Sequence, residues 1–287
     1  MLFRIIAMDA KERLYASDQI AGWKATVWRD MINEILVTRE LIWRLFRRDF
    51  AARYRQSLLG ILGALVPSLM AVGTFVFLNR AGILNVGDTG VPYPVYAFLG
   101  LTIWQIFAGG LNVTCNAVVA SSSMVIKINF PKEALLISAM GHVIFDFLIR
   151  LAFLALILVI YQVPPKLTVI WLPFTLLPLF LLTLGLGSFL SLLQVLVRDV
   201  SNMVTMATTL LMLLTPVLYP VPQSGWFVTL AKVNPLAPLI VASKDMVITG
   251  HLTDPWGFAW ASALALLFFL LAWRVFHLVE YKIAEIV

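Results

Sequence analysis

The sequence is short of the groups that carry out chemistry. Its single cysteine, Cys115, lies inside an apolar run, so this chain offers neither a disulfide nor a thiolate metal site. The histidines, His142, His251 and His277, stand far apart with no HExxH motif and no carboxylate cluster beside them, and no metal site is expected. No GxxxxGKS/T and no GxGxxG occurs, which removes a nucleotide-phosphate cradle. No Ser, His and Asp arrangement suggests a nucleophile. Charge is scarce too: 13% of the residues are Asp, Glu, Lys or Arg, against roughly 25% in a soluble domain. No cofactor of its own is expected, and any work this chain does must draw on energy supplied from elsewhere.

What the chain has instead is apolar length. Apolar residues make up 61% of it, and the mean hydropathy is +0.93. Crossing a membrane takes about 20 residues of helix, and six stretches qualify, near 57–78, 96–119, 140–161, 172–196, 203–221 and 257–277. They lack the period-2 alternation of a β-barrel. The expected fold is therefore an all-α polytopic membrane protein with six transmembrane helices. Sixteen of the 21 Lys and Arg fall on the side of the two termini and four on the other, with Arg150 inside a span. That bias places both termini in the cytoplasm. The net charge of +6 then reports topology and contact with anionic membrane lipids; nucleic acid is not an expected partner. Nothing before Ser57 reads as a signal peptide.

Residues 1–56 are expected to form a cytoplasmic arm, followed by a membrane domain over 57–287. Within the arm, 23–36 reads as a short amphipathic helix and 38–56 as a longer one. Wound at about 100° per residue, the second places Glu40, Arg44, Arg47, Arg48 and Arg55 on one arc. Leu41, Ile42, Trp43, Leu45, Phe46, Phe50 and Tyr54 take the other side, where Asp49 and Arg53 form an i,i+4 pair. This is the pattern of a helix lying in the membrane interface, and also of a plain basic anchor beside a span.

The segment 120–139 carries Met124, Val125, Ile126 and Ile128 in a cytoplasmic loop. Exposed apolar residues in a loop point to a protein contact, or to a loop lying back on the bilayer. After the fifth span, Pro216, Pro220, Pro222, Pro235 and Pro238 forbid one continuous helix. Two short helices within 225–249, dipping into the outer leaflet, fit best; broken backbone at that depth needs shelter by protein or a water-filled cavity. Asp146 and Arg150 form an intramembrane ion pair at i,i+4, read as a structural lock or an ion relay. Aromatics are frequent: Phe75 and Phe77 on the first span, Tyr96, Trp104 and Phe107 on the second, Tyr219 after the fifth. Those at span ends suit an interfacial belt; Trp104 and Phe107 lie deeper and suit core packing or a lined pathway for sugar faces.

Three segments carry a family resemblance: RDFAARYRQSLLGILGALVPSLM (48–70), INFPKEALLIS (128–138), and RDVSNMVTMATTLLMLLTPVLYPVP with NPLAPLI (198–222 and 234–240). Spread over about 36–280, they resemble the membrane subunits of ABC-2-type exporters of polysaccharides such as O-antigen, capsule and teichoic acid. The family commonly has a Trp after the Leu-Gly-x-Leu stretch, where this chain has Gly63. The resemblance implies a bacterial cytoplasmic-membrane exporter of a lipid-linked glycan, built from two copies of this chain and two cytoplasmic ATPase subunits that hold ATP and Mg. It implies a coupling surface of Met124, Val125, Ile126 and Lys127 with Arg47 and Arg48, and an extracytoplasmic gate over 225–249. Phe75, Phe77, Tyr96, Trp104, Phe107 and Tyr219 would line the path along spans one, two and five. An ABC-2-type exporter of a drug or small lipid is the alternative. A polytopic transferase would need an acidic or His cluster at the membrane boundary, and a channel would need a filter motif.

Overall fold

A computed structural model of the chain describes residues 25–55, 63, 65–83, 86–128, 130–221 and 226–286. Every regular element among them is helical. They are α1 (Ala25–Val37), α2 (Arg39–Arg55), α3 (Val66–Arg80), α4 (Tyr93–Ala120), α5 (Ser122–Lys127), α6 (Glu133–Ile160), a 3₁₀ turn (Leu167–Trp171), α7 (Leu172–Leu196), α8 (Val200–Leu214), α9 (Trp226–Val233), α10 (Leu236–Ile248) and α11 (Pro255–Ile286).

Among the described residues, four helices are long and apolar enough to cross a membrane: α4, α6, α7 with its leading 3₁₀ turn, and α11 up to Glu280. The apolar helices α3 and α8 are 15 residues each, about 22 Å at 1.5 Å per residue. For the expected first span, residues 56–62 and 64 lie outside the described residues. For the expected fifth, the helix stops at Leu214 because Pro216 follows, and a proline has no N–H to continue the ladder. Where helices begin, Pro67, Pro94 and Pro173 occupy the first turn, where the missing N–H costs nothing. α3 ends in a glycine cap: Gly82 has φ +72°, and the Ile83 N–H reaches back to the Leu78 carbonyl at 3.1 Å.

α4 is the central helix. Some 78% of its most apolar window is buried inside the protein, against 22% for α11, which turns most of its surface outward. α4 packs on α6, α7, α8 and α3, and α7 packs in turn on α11 and α10. Small residues set the α4–α7 crossing. A Cβ at Gly187 would collide with Thr114, so the two backbones approach as membrane helices do, by dispersion contact at glycine and threonine rather than by expelling water.

The proline-rich stretch after α8 is sheltered, as broken backbone at membrane depth requires. Thr215, Pro216, Val217 and Leu218 are buried, and a Cβ at Gly100 would collide with the Val217 carbonyl. Beyond it come the two short helices α9 and α10, and α10 is buried from Leu236 to Val247 apart from the half-buried Val241. The third span begins at Glu133, seven residues before the expected 140. Lys132 and Glu133 open this helix and are themselves buried there, which a hydropathy reading does not show.

Candidate functional site

α2 does not lie alone: it runs against α6. Phe46 stacks on His142 with ring centroids 4.8 Å apart, and Phe50 meets Phe145 edge-on at 4.7 Å. Arg53 Nη2 lies 3.1 Å from Asp146 Oδ2, and Asp49 accepts from Arg48 Nε at 2.6 Å. Asp146, read from the sequence as the partner of Arg150, thus also meets the arm through Arg53, which reaches beyond its own helix. Asp146 and Arg150 are both buried. A one-helix reading finds i,i+4 partners and cannot contain a partner brought in from another helix.

α5 sits beside α2. Arg48 Nη1 is 3.7 Å from Met124 Sδ, and Arg47 and Arg48 are exposed while Met124 is half-buried. The four expected coupling residues of α5 do not face one way. Val125 is 2% exposed and packs into an apolar cluster with Leu45, Val118, Phe130, Leu135 and Phe276. Ile126 is 60% exposed, and Lys127 and Ile128 are also outward. The outer face is thus a cationic patch with an apolar centre: Arg47, Arg48, Ile126, Lys127 and Ile128.

The six expected path aromatics fall in different settings. Phe75 is half-buried and Phe77 exposed on α3; Tyr96, Trp104 and Phe107 are buried on α4; Tyr219 is half-buried in the turn after α8. Trp104 and Phe107 pack against each other at 5.4 Å. Trp104 also walls a cavity of about 250 Å³ between α4 and α8, whose other walls include Gln105, Asn112, Thr205, Thr208 and Thr209. Thr205 Oγ1 donates to Asn112 Oδ1 at 2.8 Å across it. The polar line continues where Gln194 Nε2 donates to Asn116 Oδ1 at 3.4 Å and Gln194 Oε1 accepts from the Ser201 N–H at 2.8 Å. This groove of amides and hydroxyls escaped the sequence reading. The signal was there: Gln105 and Asn112 lie two turns apart on one face of α4, and Thr205 and Thr209 one turn apart on α8.

A second knot was missed entirely. Lys244 of α10, counted in the sequence as a loop charge, is 2% exposed. Its Nζ donates to Tyr96 Oη and to the Pro216 carbonyl, each at 2.7 Å, and to the Val217 carbonyl at 3.3 Å. It also lies 4.0 Å from the Tyr96 ring centroid. Tyr96 Oη donates onward to the Tyr219 carbonyl at 3.1 Å. α10 is outside the four long spans. Burial pushes the Lys244 amine down from the ordinary 10.5 to about 7, with Asp245 beside it pulling the other way. Asp245 Oδ2 is held by the N–H and hydroxyl of Thr253, at 2.7 and 2.6 Å. One amine thus ties α10, α4 and the broken turn together.

Among the described residues, the group able to offer three metal-ligand atoms is Glu34, His277 and Glu280, with those atoms within 4.8 Å of one another. His277 and Glu280 are already engaged with the start of α6. The described residues thus hold a polar groove, a cationic-apolar patch and a buried amine knot.

Comparison with known proteins agrees with that frame. Residues 40–248 match the family model described as ABC-2 type transporter. An O-antigen export system permease protein RfbA of Klebsiella pneumoniae is 25% identical over 251 residues, covering 83% of this chain and 92% of that protein. A protein of the same description from Myxococcus xanthus is 27% identical over 232 residues, covering 78% and 86%. With the family model spanning most of its length, and four helices able to cross a membrane, this chain belongs to the ABC-2 type transporter family of membrane proteins.

Proposed function

We propose that this chain is the transmembrane subunit of an ATP-driven exporter that moves a lipid-linked polysaccharide of the O-antigen kind out across the bacterial cytoplasmic membrane. The membrane component of such a transporter is not itself catalytic, and its ATPase is a separate partner. The observation that carries the reading is the α4–α8 groove: one indole, two carboxamides and three threonines around about 250 Å³. Sugars offer apolar C–H faces and many hydroxyls, which an indole and a ladder of amides and hydroxyls match. The relatives named for O-antigen export support it.

In this reading two copies face each other, and spans one, two and five of both copies line the path, with Phe75, Phe77, Tyr96, Trp104, Phe107 and Tyr219 as its aromatic members. α3 and α8 are the first and fifth of six spans, completing the membrane domain over 57–287, and both termini lie in the cytoplasm with the 1–56 arm. Each copy binds one ATPase, which holds ATP and Mg, through Arg47, Arg48, Met124, Ile126 and Lys127, with Val125 seating the segment from within. The helices α9 and α10 form the extracytoplasmic gate. ATP binding draws the ATPases together and moves α2 and α5, and the bundle switches between two packings.

The test is to deplete this protein in its own host and follow the lipid-linked glycan by extraction and gel. Glycan accumulating inside while the surface goes bare is the expected result. An unchanged surface overturns the reading in favour of a drug or lipid exporter, and loss of glycan both inside and outside points to synthesis.

A further inference from the structure

The cytoplasm-facing end of α11 grips the segment that follows α5, and nothing above assigns it a role. Phe276 is fully buried beside Val125, Phe130, Leu135 and Leu136. One residue on, His277 Nδ1 is 2.8 Å from Glu133 Oε1. One turn further, Glu280 Oε2 accepts the Lys132 backbone N–H at 2.8 Å. These three side chains share a face of α11, because residues three and four apart lie one above the other on a helix.

Their partners are consecutive. Lys132 and Glu133 open α6, where the first backbone N–H groups of a helix have no partner of their own. Lys132 carries no side-chain cap from its own segment; the acceptor for its N–H comes from a residue 148 positions later. Glu133, 5% exposed, is held in place by His277. Burying two carboxyl groups is costly unless hydrogen bonds satisfy them, so a merely packed helix end would do better with apolar residues here. α5 is joined to α6 by only five residues, 128–132. Any displacement of α5 must therefore either break these contacts or carry α11 along.

We propose that the terminal turn of α11 is a latch, with Glu280 and His277 as positioning residues that transmit movement of the α5 segment into the membrane helices. The proposal rests on the reading of α5 as the ATPase-docking segment. The route runs from α5 to α11, along α11 to α7, which packs against it, and through the Gly187–Thr114 crossing to α4. It is a chain of rigid elements in contact, and both of its ends face a proposed moving part. The ring of Phe276 sets the pivot, and the two polar contacts set the register.

The experiment uses the full complex with its ATPase, purified for ATP hydrolysis and expressed in the host for export of the host's own glycan. Glu280→Ala and His277→Ala are expected to co-purify with the ATPase and hydrolyse ATP at the parental rate. Surface glycan per ATP hydrolysed is expected to fall about tenfold, within the span of ordinary coupling between sites. Glu280→Gln keeps an acceptor for the Lys132 N–H, and His277→Gln keeps a donor for Glu133, so both are expected to restore export. Glu280→Asp withdraws the acceptor by one methylene and keeps the carboxyl group; it is expected to fail as Glu280→Ala does, and it decides the matter if the alanine variant does not accumulate. Normal export in the alanine or aspartate variant overturns the latch. Loss of ATPase binding and hydrolysis in parallel with export also overturns it, since that is what a purely structural contact would give. Ile126→Asp separates the two readings: if it leaves ATPase binding and export intact, the docking role of α5 itself is wrong. If it abolishes binding while Glu280→Ala changes nothing, the latch alone is wrong.

Discussion

Lys244→Met removes one buried amine and nothing else of comparable size. Methionine reaches about as far, so no large cavity opens, and the loss is confined to polar contacts. The amine's two bonds at 2.7 Å, to Tyr96 Oη and the Pro216 carbonyl, disappear, as does the longer one to Val217. Tyr96 Oη keeps its bond to the Tyr219 carbonyl, and each buried carbonyl left short of a donor costs about 1–3 kcal/mol. Against that stands the desolvation that the amine itself no longer suffers, so the net loss is about 2–4 kcal/mol. For a chain of this size each kcal/mol moves the melting point by roughly 2–4 °C, giving a drop of roughly 5–15 °C. Thermal unfolding of the purified complex, followed by tryptophan fluorescence, measures it. The variant also carries a pH signature. Burial, opposed by Asp245, takes the Lys244 amine from 10.5 to about 7 on folding, so between those values the unfolded chain binds more protons than the folded one. Stability therefore rises with pH across that window and levels off above it. The Met variant lacks this contribution, so the gap between the two melting points widens from pH 7 to pH 9. A variant that melts with the parent at both pH values, and exports normally, refutes the argument that this amine holds the turn.

Gln105 lines the α4–α8 groove, and Gln105→Leu is expected to slow export about 2–10-fold, one lost hydrogen bond's worth, with the melting point unmoved. Trp104→Ala is a poor probe of the same path, because a side chain 2% exposed leaves a cavity costing about 3–5 kcal/mol. Neighbouring residues of α5 should part company: Ile126→Asp weakens ATPase co-purification at parental stability, whereas Val125→Asp, which buries a carboxylate in the cluster around Phe276, lowers yield and melting point before any docking is tested. Arg53→Ala removes one cation from beside Asp146, whose side chain is 9% exposed. About 1–3 kcal/mol of stability should go with it, the low end because the Arg53 side chain is 47% exposed. A melting point equal to the parent's would mean that Asp146 does not depend on the arm.

Hydropathy and proline between them made most of the helices legible. The stretch 172–196 is α7 to the residue, 38–56 is α2 within one residue at each end, and the two short helices stand where five prolines allow them. Hydropathy failed where charge is buried. Lys132 and Glu133 do open a helix, but their burial and that of Lys244 were not legible, because a sequence does not show a hydrogen-bond partner 28 or 148 residues away. The inward turn of Val125 was equally unreadable: six residues of helix are too few for periodicity to say which face is covered. Trp104 was legible but its polar neighbours were not, since single threonines and amides within an apolar run do not show which way they face.

The pairing of α2 with α6 bears on how the chain is made. Phe50 and its edge-on partner Phe145 are 95 residues apart in the sequence, and a ribosome adding about 5–20 residues per second takes roughly 5–20 s to cover that interval. Through that time the apolar side of α2, with Phe46 and Phe50 on it, has no α6 to meet. The nearest shelter for such a face is the bilayer surface, where α2 is expected to lie until α6 arrives to pack against it. A charge at Phe46 would then act first on the nascent chain, as retarded insertion, before it could act on the finished protein.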